Sequence, residues 1–294
     1  MESLQSVKGR IKTINSTKHI TQSMQTVSKV KMRKARAKMD ANLPFLNEAK
    51  RLVRLSAGSL NGDRHPFLTG RGGNRAALLI LGSDRALCGG FNSGIEKEAQ
   101  KLLQSVDEYR IITVGAKVRD HCRRRFRDKI VQSFTSISEN PLYEDAENIA
   151  LTLLDWYRNG EVDRIYVVYT HFETMLVQYA RAMELLPMDL DEILSDDFIS
   201  LAGSSEDGTN ILLNCEPGTL NLFGGAVSFY VKALVYGLIL QSSLSEQCAR
   251  ASVMDAAIKN ADDMIESLTR LYNQARQRQI TEEITEIING ADAV

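Results

Sequence analysis

The sequence predicts an α/β protein in which two long terminal helices form an antiparallel coiled coil, with a smaller α/β domain inserted between them. Three observations carry this. No proline interrupts Ala226 to Ile288, where Gly237 is the lone breaker, a span too long for an ordinary globular helix. Proline first occurs at Pro44, so the opening of the chain is equally uninterrupted. Between the two ends, short apolar runs alternate with amphipathic stretches in a β-α order. At 294 residues, 44% apolar and 25% charged, the chain can bury a core and is not a disordered polymer.

Taken in order, the first segment, 1–55, places Val7, Ile11, Ile14, Ile20, Met24, Val27 and Met32 at helical spacing. Ser56 to Arg75, rich in Gly, Asn and Arg, is a connecting loop. The segment 56–216 then forms the inserted domain. Ala76–Leu81 is a buried strand, Gly94–Val106 a helix, Arg110–Val114 a strand, Lys117–Arg127 a helix and Ile130–Phe134 a strand. Glu144–Arg158 is an amphipathic helix, Ile165–Tyr169 a strand, and Gln178–Leu186 adds an antiparallel edge. This order implies a Rossmann-like domain with helices covering a mostly parallel sheet. Pro187–Glu216, with Gly203, Ser204, Ser205 and Gly208, is an acidic edge and loop.

The last segment, 217–294, carries the second helix. Met254, Ala257, Ala261, Met264, Leu268, Leu271 and Ala275 step alternately by three and four, a heptad seam flanked by Ile258, Ile265 and Tyr272. Asp255, Lys259, Asp262, Asp263, Glu266 and Arg270 form the solvated face. Neither helix can bury its stripe alone, so the two ends pair, and their charges agree. Residues 1–54 carry thirteen Lys/Arg against three Asp/Glu, whereas 226–294 carry six against nine. Asn15, Ser16, Thr17, Gln25, Ser28 and Gln279 interrupt the apolar pattern, which suggests that part of the coil faces another protein.

Several chemistries find no support. Gly82 to Asn92 follows the first strand, where a phosphate loop would lie, but it has neither G-x-G-x-x-G nor G-x-x-x-x-G-K-[ST]. It is a tight turn in which Gly89 and Gly90 permit positive φ while Asp84 and Asn92 bond local backbone. Cys88, Cys122, Cys215 and Cys248 show no C-x-x-C pair and are expected as free thiols of a reducing compartment. His19, His65, His121 and His171 lack metal-ligand spacing, so no metal and no cofactor is expected. Phe229 to Leu240 is too short to cross a bilayer and contains Lys232, and the amino terminus lacks the apolar core of a signal peptide. Arg123, Arg124, Arg125 and Arg127 are a solvated helix face, without the aromatic interleaving of a single-strand binder. The comb Lys29, Lys31, Arg33, Lys34, Arg36 and Lys38 suits an anionic partner, and composition does not choose between nucleic acid and an acidic protein surface.

Three motifs resolve the choice. Arg10-Ile-Lys-Thr-Ile-Asn-Ser-Thr-Lys-His-Ile-Thr21, continuing through Met24 and Val27 to Lys31-Met-Arg-Lys34, resembles the start of the gamma subunit of F-type ATP synthases. Ser83-Asp-Arg-Ala-Leu-Cys-Gly-Gly-Phe-Asn92 resembles the loop after that family's first strand. Ser245-Glu-Gln-Cys-Ala-Arg250, Leu271-Tyr-Asn-Gln-Ala-Arg-Gln277 and Ile280 to Ile288 resemble its carboxyl-terminal helix.

The resemblance implies a rotor with no catalytic residue of its own. The paired helices would form a shaft within a ring of three alpha and three beta subunits, with the α/β domain beside the epsilon subunit and the c-subunit ring. Rotation would couple ion flow through that ring to ATP synthesis or hydrolysis on beta. Met24, Lys31, Arg33 and Lys34 correspond to positions passing acidic loops of beta, and Arg250, Arg276, Gln277 and Thr281 to positions that bond beta higher in the ring. No nucleic acid is implied, and the membrane is reached only through the complex, at the cytoplasmic face of a bacterial plasma membrane. Two departures stand out: the net charge of −1, where the family's shaft is often markedly basic, and Leu220-Asn-Leu-Phe-Gly-Gly225 before the second helix. The resemblance displaces two readings of the pattern alone, a nucleotide-binding α/β enzyme and a static coiled-coil adaptor.

Overall fold

The computed structural model describes residues 4–58, 60, 65–175, 177–189 and 218–291. Most of the acidic stretch up to Glu216, with Cys215, lies outside them. In chain order the elements are α1 (Leu4–Gly58), α2 (Pro66–Thr69), β1 (Arg75–Leu81), α3 (Phe91–Leu103), β2 (Glu108–Val114), α4 (Ala116–Phe126) with a 3-10 turn at Arg127–Lys129, β3 (Ile130–Phe134), α5 (Tyr143–Arg158), β4 (Arg164–Phe172), β5 (Gln178–Leu186) and α6 (Thr219–Ala291). The chain divides into two compact units, Met1–Lys29 with Arg250–Val294, and Val30–Ala249. Each long helix contributes to both.

In the larger unit, five strands lie in the order β3-β2-β1-β4-β5, parallel from β1 to β4 and antiparallel at β5. The central strand β1 is buried from Ala76 to Leu81, the continuous apolar run expected of a strand covered on both faces. One face, with Ala77, Leu79 and Leu81, packs on Leu46, Ala49 and Val53 of α1, Ile149 and Leu153 of α5, and Val227, Val231 and Leu234 of α6. The other, with Leu78 and Ile80, packs on Phe91, Ile95 and Ala99 of α3 and Val118 and Cys122 of α4. By length and composition a stretch of α6 would pass as a membrane span. Its apolar part, Phe223 to Leu244, is instead core of this unit.

Three local expectations change. Helix α3 begins at Phe91 rather than Gly94, because Asn92 accepts from Ser83 N and donates to Ser83 Oγ, tying the first turn to the end of β1. Gly89 takes positive φ but Gly90 does not, and Leu87 does. Pro44 lies inside α1. Leu46, Ala49 and Val53 beyond it are buried, and that packing outweighs the roughly 3 kcal/mol cost of an interior proline. The turn into α4 needs its glycine: Gly115 sits at φ 113°, and a Cβ there would approach Ser83 O to 2.6 Å.

In the unit of chain ends, α1 and α6 run antiparallel. Lys18 Nζ meets Asp262 Oδ1 at 2.5 Å and Gln25 Nε2 meets Asp255 Oδ1 at 3.0 Å, so residue numbers across the pair sum to 280. The seam positions of α6 are Ala251, Met254, Ile258, Ala261, Ile265, Leu268, Tyr272 and Ala275, in three-four spacing, with Val253 and Ala257 partly shielded beside them. The seam therefore uses Ile258, Ile265 and Tyr272, which sequence spacing places as flankers. Met264 and Leu271, expected in the seam, are 58% and 48% exposed. On α1 the seam positions are Leu4, Val7, Ile11, Ile14, Lys18, Thr21, Gln25 and Ser28, with Asn15, Gln22 and Met24 partly shielded beside them. Ile20 and Val27, expected inward, point out. A heptad with three apolar positions can bury either of two stripes, and the partner helix decides which.

Candidate functional site

The coil of the chain ends has two unlike flanks. Each follows from the register, because in an antiparallel pair like positions face each other across the seam. On one flank Asn15, Gln22 and Lys29 of α1 run alongside Asp255 and Asp262 of α6, and Arg276 lies two heptads beyond Asp262 on the same flank of α6. Here Lys259, then Gln25 and Lys29, hold the Asp255 carboxyl below its usual range. On the other flank Met24 of α1, bordered by the exposed Ile20 and Val27, lies level with Ala257 of α6, and Met264 and Leu271 follow one and two heptads further along that flank of α6. The seam between them is itself polar at Lys18, Thr21, Gln25 and Ser28: Lys18 and Gln25 bond across to Asp262 and Asp255, while the Thr21 and Ser28 hydroxyls bond their own helix backbone.

The residues that the sequence singles out fall in both units. Met24 is half-buried on the apolar flank, and Arg276, Gln277 and Thr281 are exposed within little more than a turn of one another on α6. Thr281 Oγ1 donates to Gln277 O of its own helix at 2.9 Å. In register, Arg276 lies about 30 Å along the coil from Met24. Arg250 is 6% exposed and sheltered by the chain itself. In the larger unit Arg33 and Lys34 are exposed. Lys31 is half-buried and ion-paired to Glu139 at 3.1 Å. The comb is thus split, for Lys38 also turns inward to Asn140 Oδ1 and Pro141 O, and Arg36 pairs with Asp40 over the Phe172 ring.

In the larger unit the crevice at the carboxyl ends of β1 and β4, where the strand order reverses, is where open α/β sheets bind ligands. Here α6 fills it. Ser242 Oγ donates to Leu81 O at 3.3 Å, Ser243 Oγ to Ser138 O at 2.5 Å and Ser245 Oγ to Thr170 O at 3.2 Å, all three hydroxyls being buried. A run of serines inside an apolar helix was the signal for this contact. Asp84, expected to bond local backbone, reaches further: its carboxylate accepts from Ala116 N, Ser136 N, Ser138 N and Ser138 Oγ, at 2.9–3.0 Å. The geometry is that of a brace with all acceptor sites taken, because neighbouring loops turn their amides toward one charge.

The described cysteines are all buried. Burial pushes the Cys122 thiol up to about 12 and the Cys248 thiol up to about 11, which keeps both protonated. Cys88 is buried among Ser83, Asn92 and Arg85 O. Among the described residues no group of three His, Cys, Asp or Glu side chains is placed to hold a metal ion.

A family model described as ATP synthase matches residues 3–294. The ATP synthase gamma chain of Alkaliphilus metalliredigens is 34% identical over 99% of this chain and 98% of its own length. A chain of the Euglena gracilis mitochondrial ATP synthase structure is similar in fold at TM-score 0.66 and 18% identity, covering 99% of this chain and 94% of that one. A chain from the central stalk and c-ring of the Tetrahymena thermophila mitochondrial ATP synthase gives TM-score 0.61 and 22% identity, with 81% and 99% covered.

Proposed function

The chain belongs to the ATP synthase gamma-chain family, and on that premise we propose that its two terminal helices act by presenting unlike flanks in turn to the catalytic subunits around them. It is the non-catalytic rotor subunit of the central stalk of an F-type enzyme. The proposed surroundings are a head of alpha and beta subunits about the coil and the epsilon subunit and c ring about the α/β domain, at the cytoplasmic face of a bacterial plasma membrane. The membrane is then met only through the complex.

The observation that carries this is the contrast between the flank of Met24, Met264 and Leu271 and the flank of Asp255, Asp262 and Arg276. A catalytic subunit that meets the first in one orientation and the second in another has a different preferred conformation in each. The work delivered is that difference in contact free energy. Exposed cations suit passing contacts, since surface ion pairs contribute only about 0.2–1 kcal/mol and so release as readily as they form. On this account Met24, Arg33 and Lys34 form one set of beta contacts, Lys31 of the expected set being held inward by Glu139, and Arg250, Arg276, Gln277 and Thr281 form another, with the sheltered Arg250 acting beneath the surface.

The test is Arg276→Ala with Gln277→Ala in the assembled complex. ATP synthesis and hydrolysis should fall about 1.4- to fivefold, the range one exposed contact of this strength converts to, while the thermal unfolding of the isolated chain is unmoved. Unchanged rates in both directions would remove these residues from the interface.

A further inference from the structure

The geometry points to Glu139 as a positioning residue that latches α1 to the sheet, so that Lys31 serves the rotor through an internal ion pair; this rests on the rotor reading above. Glu139 lies in the loop between β3 and α5, and this loop touches both long helices within the larger unit. Ser138 O accepts from Ser243 of α6. Glu139 Oε1 accepts from Lys31 of α1 at 3.1 Å and from Arg85 at 2.6 Å. Lys38, two turns further along α1, donates to Asn140 Oδ1 at 2.8 Å and Pro141 O at 3.2 Å.

The loop is held rigid from below. Asp84 accepts from Ser136 N, Ser138 N and Ser138 Oγ, and Ser136 is a non-glycine residue at φ 66°. Such a conformation persists only where its surroundings over-determine it. Ile137 and Ser138 are buried beside it. A rigid loop ending in a carboxylate between two cations, one on α1 and one on the turn after β1, fixes the rotation of α1 about its own axis relative to the sheet. A rotor must transmit torque between its sheet and its helices. Backbone continuity alone allows a helix to twist, and this latch opposes that twist.

The test uses the assembled complex in sealed vesicles, reading ATP hydrolysis and ions moved per ATP together. Glu139→Lys sets like charges against Lys31 and Arg85. Hydrolysis should persist while ions moved per ATP fall about two- to fivefold, and the reversed pair, Lys31→Glu with Glu139→Lys, should restore coupling. Glu139→Gln, which removes the charge without repulsion, should give a smaller loss and serves should the lysine variant fail to assemble. Full coupling in the Glu139 variants would overturn the proposal. So would loss in Lys31→Glu that the reversed pair does not rescue, which would assign Lys31 to a partner subunit. An unmodified complex that hydrolyses ATP without moving ions would overturn the rotor reading itself.

Discussion

At the scale of single residues, buried or half-buried charges in this chain serve as fasteners. Asp163 receives Arg75 Nε and Nη2 at 2.9 and 2.8 Å, joining the start of β1 to the turn before β4. Hydrogen bonds from the guanidinium, above all, hold its carboxyl below the ordinary aspartate range. A group whose pKa is lower folded than unfolded contributes stability above the unfolded value, near 3.9, and loses it as pH falls through the folded value. We therefore expect the urea midpoint of the wild-type chain to exceed that of Asp163→Asn at pH 7, and the difference to shrink between about pH 5 and pH 3. A difference that stays constant with pH would mean that the pair contributes by shape alone. None of this was legible in the sequence, because the partners are 88 residues apart.

At the scale of the element, the long helices show why a three-four pattern identifies a coil before it identifies a seam. Ala251, Met254, Ala261, Leu268 and Ala275 are shielded on any assignment, but the remaining apolar positions offer two stripes. The shielded one carries Ile258, Ile265 and Tyr272. Ile258→Ala and Ile265→Ala should each destabilise the chain by about 1–2 kcal/mol, less than a fully buried isoleucine because both are half-shielded. Met264→Ala and Leu271→Ala should stay within about 0.5 kcal/mol. Denaturant midpoints of the four variants distinguish the stripes, and equal losses in both pairs would contradict the observed seam. The polar seam of α1 was visible in part: Gln25 and Ser28 stand out as interruptions, whereas Lys18 and Thr21 do not.

At the scale of the whole molecule, a near-zero net charge conceals a basic amino-terminal helix and an acidic carboxyl-terminal one. Their pairing consumes part of each through the Lys18–Asp262 ion pair and through Lys29 beside Asp255. What remains exposed is the apolar pair Met264 and Leu271 on one face of α6 and, on a different face further along, Ile280, Ile284 and Ile287. A monomer tolerates scattered exposed apolar side chains, but a run of them marks a surface that another protein covers. Met264→Ser with Leu271→Ser should leave the isolated chain's melting temperature unmoved and lower ATP synthesis by the assembled complex. Asp263→Ser with Arg270→Ser, on the solvated face, should do neither. Equal synthesis rates in the two double variants would show that the apolar flank has no role in coupling.

Local periodicity alone determined the two uninterrupted helices, their antiparallel pairing, the βα order between them and the motifs that place the chain in its family, because each is written in residues a few positions apart. The tertiary structure alone decided which apolar stripe is buried, that Lys31 and Lys38 turn inward to the β3–α5 loop, that Asp84 braces three segments, and that serines of α6 occupy the sheet's crevice. Those outcomes depend on partners that meet only when the chain has closed, and no short-range pattern distinguishes a side chain that will find an internal partner from one left to face another subunit.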